Sequence, residues 1–192
     1  MSQPHQPSDT VPPSTLPLPA VFRISPLIRL TLLGFYLALT LPLPFLSQMT
    51  QAPVPPWVLS LGVILGGVIL VAALSDRVTV DPAGIRLSYA PWVPRALRPG
   101  WFVPWAAIVA IKPRSTGQGG LVYYLCDREG QAYLLPMRIA GFSRFLRLIE
   151  QYTSLDTHDI RPLAQPWMYG ILLLLTLFLL LIDGWTIALT LV

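Results

Sequence analysis

The sequence predicts an α-helical membrane protein in which three transmembrane helices carry a small α+β domain, an antiparallel sheet capped by one C-terminal helix. Three observations predict it. All thirteen Lys and Arg residues fall in two blocks, Arg23–Arg29 and Arg77–Arg161. The most hydrophobic stretches lie between those blocks and after the second. From Asp76 onward the long apolar runs give way to short alternating segments broken by Pro and Gly. Cytoplasmic flanks of membrane spans carry the excess of Lys and Arg, and here the opposite flanks carry none. The expected topology therefore puts the N-terminus and the charged domain on the cytoplasmic, or stromal-type, side of an integral membrane protein, with the C-terminus opposite.

Residues 1–25 hold six prolines and little that could form a core, and they read as a disordered tail. No basic segment leads from it into a short apolar run with a small-residue cleavage site, so a signal peptide is not expected. A transmembrane hairpin follows over residues 26–75. Ser25-Pro26 suits a helix start, Ser as N-cap and Pro in the first turn. Leu30 to Leu46 gives seventeen uncharged residues and Trp57 to Ser75 nineteen. About 17–25 residues cross a hydrocarbon core of about 30 Å. Pro42 and Pro44 should kink or end the first helix near the far side. Gly62 and Gly66, four apart, have the spacing of close helix contact in lipid, with the first span or with a partner's helix.

The charged domain is expected over residues 76–155. Arg77–Val80 and Ile85–Ala90 flank Asp81-Pro82-Ala83-Gly84, a tight-turn sequence. Four prolines make residues 91–104 a loop or a broken edge strand. Ala107–Lys112 is a further strand, and Leu121–Cys126 pairs with Gln131–Leu135 across Asp127–Gly130. Phe142, Phe145, Leu146, Ile149 and Tyr152 repeat at helical spacing, with Arg144, Arg147 and Gln151 off the stripe. That amphipathic helix should cover the sheet. A polar linker spans residues 156–165, and the third transmembrane helix occupies residues 166–192. Its core, Trp167 to Ile182, supplies sixteen uncharged residues before Asp183. Trp57 and Trp167 open their spans, where an indole favours the headgroup layer.

Composition excludes several classes. With 54% hydrophobic and 11% charged residues, the chain is too apolar for an ordinary soluble domain. Its net charge of +4 comes mainly from residues 76–161, where eleven cations face seven acids. That balance suits an anionic membrane surface or an acidic protein face. Nucleic acid is not an expected partner, because the cations are dispersed Arg with no basic run. The single cysteine, Cys126, excludes an internal disulfide and a cysteine-based zinc site.

No constellation of enzyme type stands out. His158 lies between Asp156 and Asp159 in the polar linker and His5 in the tail, so no metal site is expected. Ser115–Gly120 is the one glycine-rich loop, but it joins strands, whereas a phosphate cradle leads from a strand into a helix. Cys126 has no histidine near it in sequence to act as base. No cofactor is expected. The suggestive patch is Trp92, Arg95, Arg98, Trp101, Phe102 and Trp105 within fourteen residues. Trp and Arg dominate protein-binding hot spots and anchor at lipid interfaces. One or two of these rings could instead fill the core of the sheet. Asp183 is the one charge beyond the second cation block, and an intramembrane acid is a functional candidate.

DRVTVDPAGIRL (76–87), WAAIVAI (105–111), GQAYLLPM (130–137) and FSRFLRLIEQY (142–152), in that order behind a membrane hairpin, resemble the bacterial pleckstrin-homology-like membrane proteins. The hairpin leading straight into an Asp-Arg strand start is also similar to the photosystem I assembly proteins of chloroplasts and cyanobacteria. The match covers residues 28–153, and the third span departs from that pattern. The resemblance implies a PH-like domain and a non-enzymatic scaffold or assembly factor. It would dock on a membrane protein complex such as photosystem subunits, in a thylakoid or plasma membrane. Phosphoinositide binding is not carried over, because Asp81–Gly84, the loop that would hold the phosphates, has no cation. The competing expectation is a membrane module that senses lipid or a small ligand.

Overall fold

The computed structural model describes residues 18–94, 96, 98–117, 120–160 and 166–190. Residues 1–17 of the expected tail, residues 161–165 of the linker, Arg95, and Gln118 and Gly119 of the glycine-rich loop lie outside the described residues.

Among the described residues three helices are long and apolar enough to cross a membrane: Pro26–Met49, Pro56–Ala73 and Trp167–Ala188. The first is broken, as Pro42 and Pro44 predict, into α1 (Pro26–Thr40) and α2 (Leu43–Met49). The second is α3 (Pro56–Ala73) and the last is α5 (Pro166–Thr190). Ser25 stands at the N-cap of α1 but makes no side-chain cap; Pro26 supplies the first turn. α1 and α5 run parallel, both leaving the same end of the bundle. Thr31 Oγ1 donates to the Tyr169 carbonyl at 3.5 Å, and a Cβ on Gly34 would lie 3.2 Å from Thr176 Cγ2. α3 returns antiparallel, joined to α1 by the Tyr36 hydroxyl, which donates to the Val63 carbonyl at 2.7 Å.

Among the described residues seven strands form two antiparallel sheets. One has the order β1 (Ala20–Arg23), β2 (Arg77–Val80), β3 (Gly84–Ser88), β4 (Trp101–Pro104). The other has β5 (Ile108–Ser115), β6 (Leu121–Asp127) and β7 (Ala132–Leu134). α4 (Phe142–Thr153) covers them. Period-2 alternation puts Val78, Val80, Ile85 and Val103 of the first sheet and Leu125 of the second into one core. Phe145, Leu148 and Ile149 of α4 close that core. The two predicted turns hold their strands through carboxylates. Asp81 Oδ1 accepts from the amides of Ala83 and Gly84 at 2.9 Å, and Asp127 Oδ1 accepts from those of Glu129 and Gln131 at 3.0 and 2.8 Å. Gly84 is required by packing, since a Cβ there would run into the Val103 carbonyl.

Two expectations need correction. The tail does not extend to residue 25: Ala20–Arg23 is strand β1, paired in register with Val80–Arg77 of β2. Its other side is also bonded, for Ala140 N–H donates to the Arg23 carbonyl at 2.8 Å and Ser25 N–H to that of Arg138 at 3.1 Å. The α1–α3 hairpin is therefore an insertion between two neighbouring strands of one sheet. The linker is not a free connector: its described part is tied to the domain at Thr157 and Ile160, while Asp156, His158 and Asp159 stay exposed. Glu150 Oε1 accepts from Thr157 Oγ1 at 2.6 Å, Tyr123 O–H donates to the Asp159 carbonyl at 3.0 Å, and Ile160 is buried.

Candidate functional site

A cavity of about 660 Å³ lies on the outer face of β3 and β4 beneath the segment that joins them. Arg86, Ser88, Tyr89, Val93, Arg98 and Phe102 line it. Strand alternation builds the floor: Arg86 and Ser88 point away from the core that holds Ile85 and Leu87. The β3–β4 register sets Phe102 opposite Arg86, and the guanidinium stands 4.8 Å over that ring.

Arg98 forms the roof and ties it to the membrane bundle. Its guanidinium donates to the Ala73 carbonyl, the last residue of α3, at 3.1 Å, and to Asp76 Oδ1 at 3.2 Å. It also stands 5.1 Å over the Tyr89 ring. A cation at a helix C-terminus meets the negative end of the helix dipole and an orphan carbonyl together. Burial pushes the Asp76 carboxyl up from the usual aspartate value, with Arg98 and Arg138 pulling the other way. Burial, aided by the Asp76 charge, raises the Tyr89 phenol. The cleft thus sits at the end of α3 nearest the sheets, with two guanidinium groups, two aromatic faces and a partly buried acid.

The six residues grouped by sequence separate here. Arg98 and Phe102 line the cleft, and Trp92, between the lining residues Pro91 and Val93, is 52% exposed. Trp101 also lines it but is half-buried, its ring 5.3 Å from that of Tyr133. Trp105 does not belong to this surface. It is buried, stacked on Tyr152 at 4.8 Å, and its indole N–H donates to the Asp81 carbonyl at 2.9 Å. The short 3-10 turn Trp105–Ala107 between the two sheets turns it inward. Arg95 lies outside the described residues.

Sequence reading missed Arg86, Ser88, Tyr89 and Asp76. Arg86 looks like any solvent-facing strand residue until the pairing with β4 is known. Of the two glycines, Gly66 packs against Tyr36, whose hydroxyl occupies the space of a Cβ, whereas a Cβ on Gly62 would meet none of the described residues beyond its own helix within 4 Å. Asp183 lies on α5 at the far end of the bundle, half-buried beside α2. Among the described residues no group of three His, Cys, Asp or Glu is placed to hold a metal ion. His158 is almost fully exposed, 3.8 Å from Asp159.

A protein of Synechocystis sp. (strain PCC 6803), carried under the name uncharacterized protein slr0269, is 52% identical to this chain over 161 residues. The alignment spans 83% of this chain and 81% of the relative. No family model matches the sequence, and no solved structure does.

Proposed function

We propose that this chain, which belongs to one family with the Synechocystis protein slr0269, is a non-enzymatic membrane scaffold that docks on a membrane protein complex during its assembly or stabilisation. The cleft between β3, β4 and the end of α3 carries the reading. Guanidinium groups stacked on aromatic rings beside an exposed Trp suit an acidic or aromatic segment of a protein partner. Anchoring by Arg98 to the α3 terminus holds that surface at one distance from the bilayer. The sheet assembly, four strands and three with a covering helix, supports a PH-like reading of the domain. The one-sided distribution of Lys and Arg supports a cytoplasmic or stromal-type position for it. A photosynthetic complex is the client we favour, because the sequence resembles photosystem I assembly proteins and the relative is cyanobacterial.

The test is affinity purification of the tagged full-length protein in gentle detergent, with mass spectrometry of stoichiometric partners. The variant Arg86→Ala, Trp92→Ala, Phe102→Ala should stay membrane-inserted and lose the client. Trp105→Ala serves as the contrast, since it should unfold the domain. A client retained in full by the triple variant refutes the cleft as the docking surface.

A second reading has its own observation. Arg98 and Tyr89 sit level with the end of α3, where a lipid headgroup would lie. Native mass spectrometry separates the two readings. An anionic lipid that stays on the purified wild type and is lost from Arg86→Ala, with no protein client present, favours lipid sensing.

A further inference from the structure

A second cavity, about 220 Å³, opens at the end of the bundle opposite the sheets. Pro42, Phe45, Leu46 and Met49 wall it on the α2 side, and Asp183 and Thr186 on α5. Phe45, Leu46 and Met49 are each 39–60% exposed, so nothing described in this chain covers them. Asp183 Oδ2 is buried against these walls and has no hydrogen-bond partner among the described residues. The neighbouring Thr186 hydroxyl is already spent on the Ile182 carbonyl at 2.9 Å. Asp183 follows Trp167 by sixteen residues. At about 1.5 Å per residue that is about 24 Å along α5, roughly 6 Å short of the far edge of a ~30 Å hydrocarbon core.

A carboxylate oxygen at that depth calls for a proton or a cation. A divalent metal wants six or more oxygens, and the groove offers one carboxylate. A second copy of this chain brings no cation to that end, because every Lys and Arg lies in residues 23–29 or 77–161, and the described ones sit at the opposite end of the bundle. The volume is below the range of about 300–1,000 Å³ typical of small-molecule pockets and suits a single long side chain. Apolar walls leading to one anion match the two halves of Lys or Arg, an aliphatic stem and a charged head.

We propose that this groove receives a Lys or Arg side chain from a transmembrane helix of a partner protein. The cation pairs with Asp183, and the stem packs on Phe45, Leu46 and Met49. The scaffold reading supplies only the expectation that such a partner exists. The site itself is independent of the cleft, being at the other end of the bundle.

The experiment uses the full-length protein with a donor fluorophore at its C-terminus, reconstituted in phosphatidylcholine vesicles. The probe is a synthetic Leu/Ala transmembrane peptide carrying one Lys about 6 Å inside its acceptor-labelled end. A control peptide has Leu at that position. Energy transfer should report association about tenfold tighter for the Lys peptide. The preference should vanish in Asp183→Asn, which keeps the shape and removes the charge. It should vanish also in Met49→Trp, which fills the groove and leaves the charge. Equal association of the two peptides, no association, or a Lys preference that survives Asp183→Asn overturns the proposal. So does self-association of the protein through the groove that displaces the peptide. Each of these failures leaves the cleft and its client test untouched.

Discussion

Replacing Phe22 by Ala tests whether β1 is an integral strand of the sheet domain despite the membrane hairpin that separates it from β2. Phe22 is 5% exposed, and its ring meets that of Phe145 edge-on at 5.6 Å. Truncating a buried Phe costs about 3–5 kcal/mol, of which an aromatic pair of this geometry accounts for about 0.5–1.5. Val21, the next residue, is 53% exposed, so Val21→Ala should stay within about 0.5 kcal/mol. The assay is hydrogen exchange by mass spectrometry on the full-length protein in detergent micelles. It follows β2, where Phe22 faces Val78 and Ala20 faces Val80. With 1.4 kcal/mol per factor of ten, exchange should accelerate about 10²- to 4 × 10³-fold in Phe22→Ala and less than about threefold in Val21→Ala. A double-mutant cycle with Phe145→Ala should recover the aromatic coupling. An effect of Phe22→Ala below about tenfold, or equal to that of Val21→Ala, would refute the pairing of β1 with the domain.

Asp76 gives a pH prediction whose sign follows from burial. Its folded carboxyl lies above the ordinary aspartate value. Its contribution to stability is therefore complete below about pH 3.9 and is lost as the pH climbs through the higher folded value. Asp76→Asn cannot ionise and should gain in melting temperature relative to wild type across that window; parallel profiles would argue against the burial. In the bundle, Gly66→Ala pushes a Cβ into the Tyr36 hydroxyl and should cost about 1–3 kcal/mol, whereas Gly62→Ala should be neutral or stabilising. Thermal melts in detergent measure both, and equal shifts would remove the distinction between the glycines.

Much of the architecture was legible because one physical constraint governs each legible part. Cations are costly in an apolar medium, so the Lys and Arg residues lie outside the central stretches of the apolar helices. Turns need special residues, so Asp81–Gly84 and Asp127–Gly130 announced their hairpins. β1 was illegible for a definite reason. Four residues between Pro19 and Pro26 hold only two periods of alternation, and their partner lies more than fifty positions away, beyond the hairpin. Burial of aromatic rings was equally hidden. Trp92 and Trp105 look alike in sequence, and only the turn between the sheets carries one onto Tyr152 and leaves the other exposed. The cleft followed the same rule, because Arg86 gains its role from a register with β4 that no local signal specifies.

The insertion between β1 and β2 also explains how the sheet domain is held on the α1–α3 helix pair. Closing a loop of about fifty flexible residues would add a substantial entropic cost to the β1–β2 pairing. Here the loop is a helical hairpin whose ends already lie side by side, so folding of the bundle prepays that closure. The joints are short: Ile24 and Ser25 separate β1 from α1, and Leu74 to Asp76 separate α3 from β2. Both are pinned, Ile24 and Leu74 by burial with Ile28 against Tyr169, and Asp76 by Arg98.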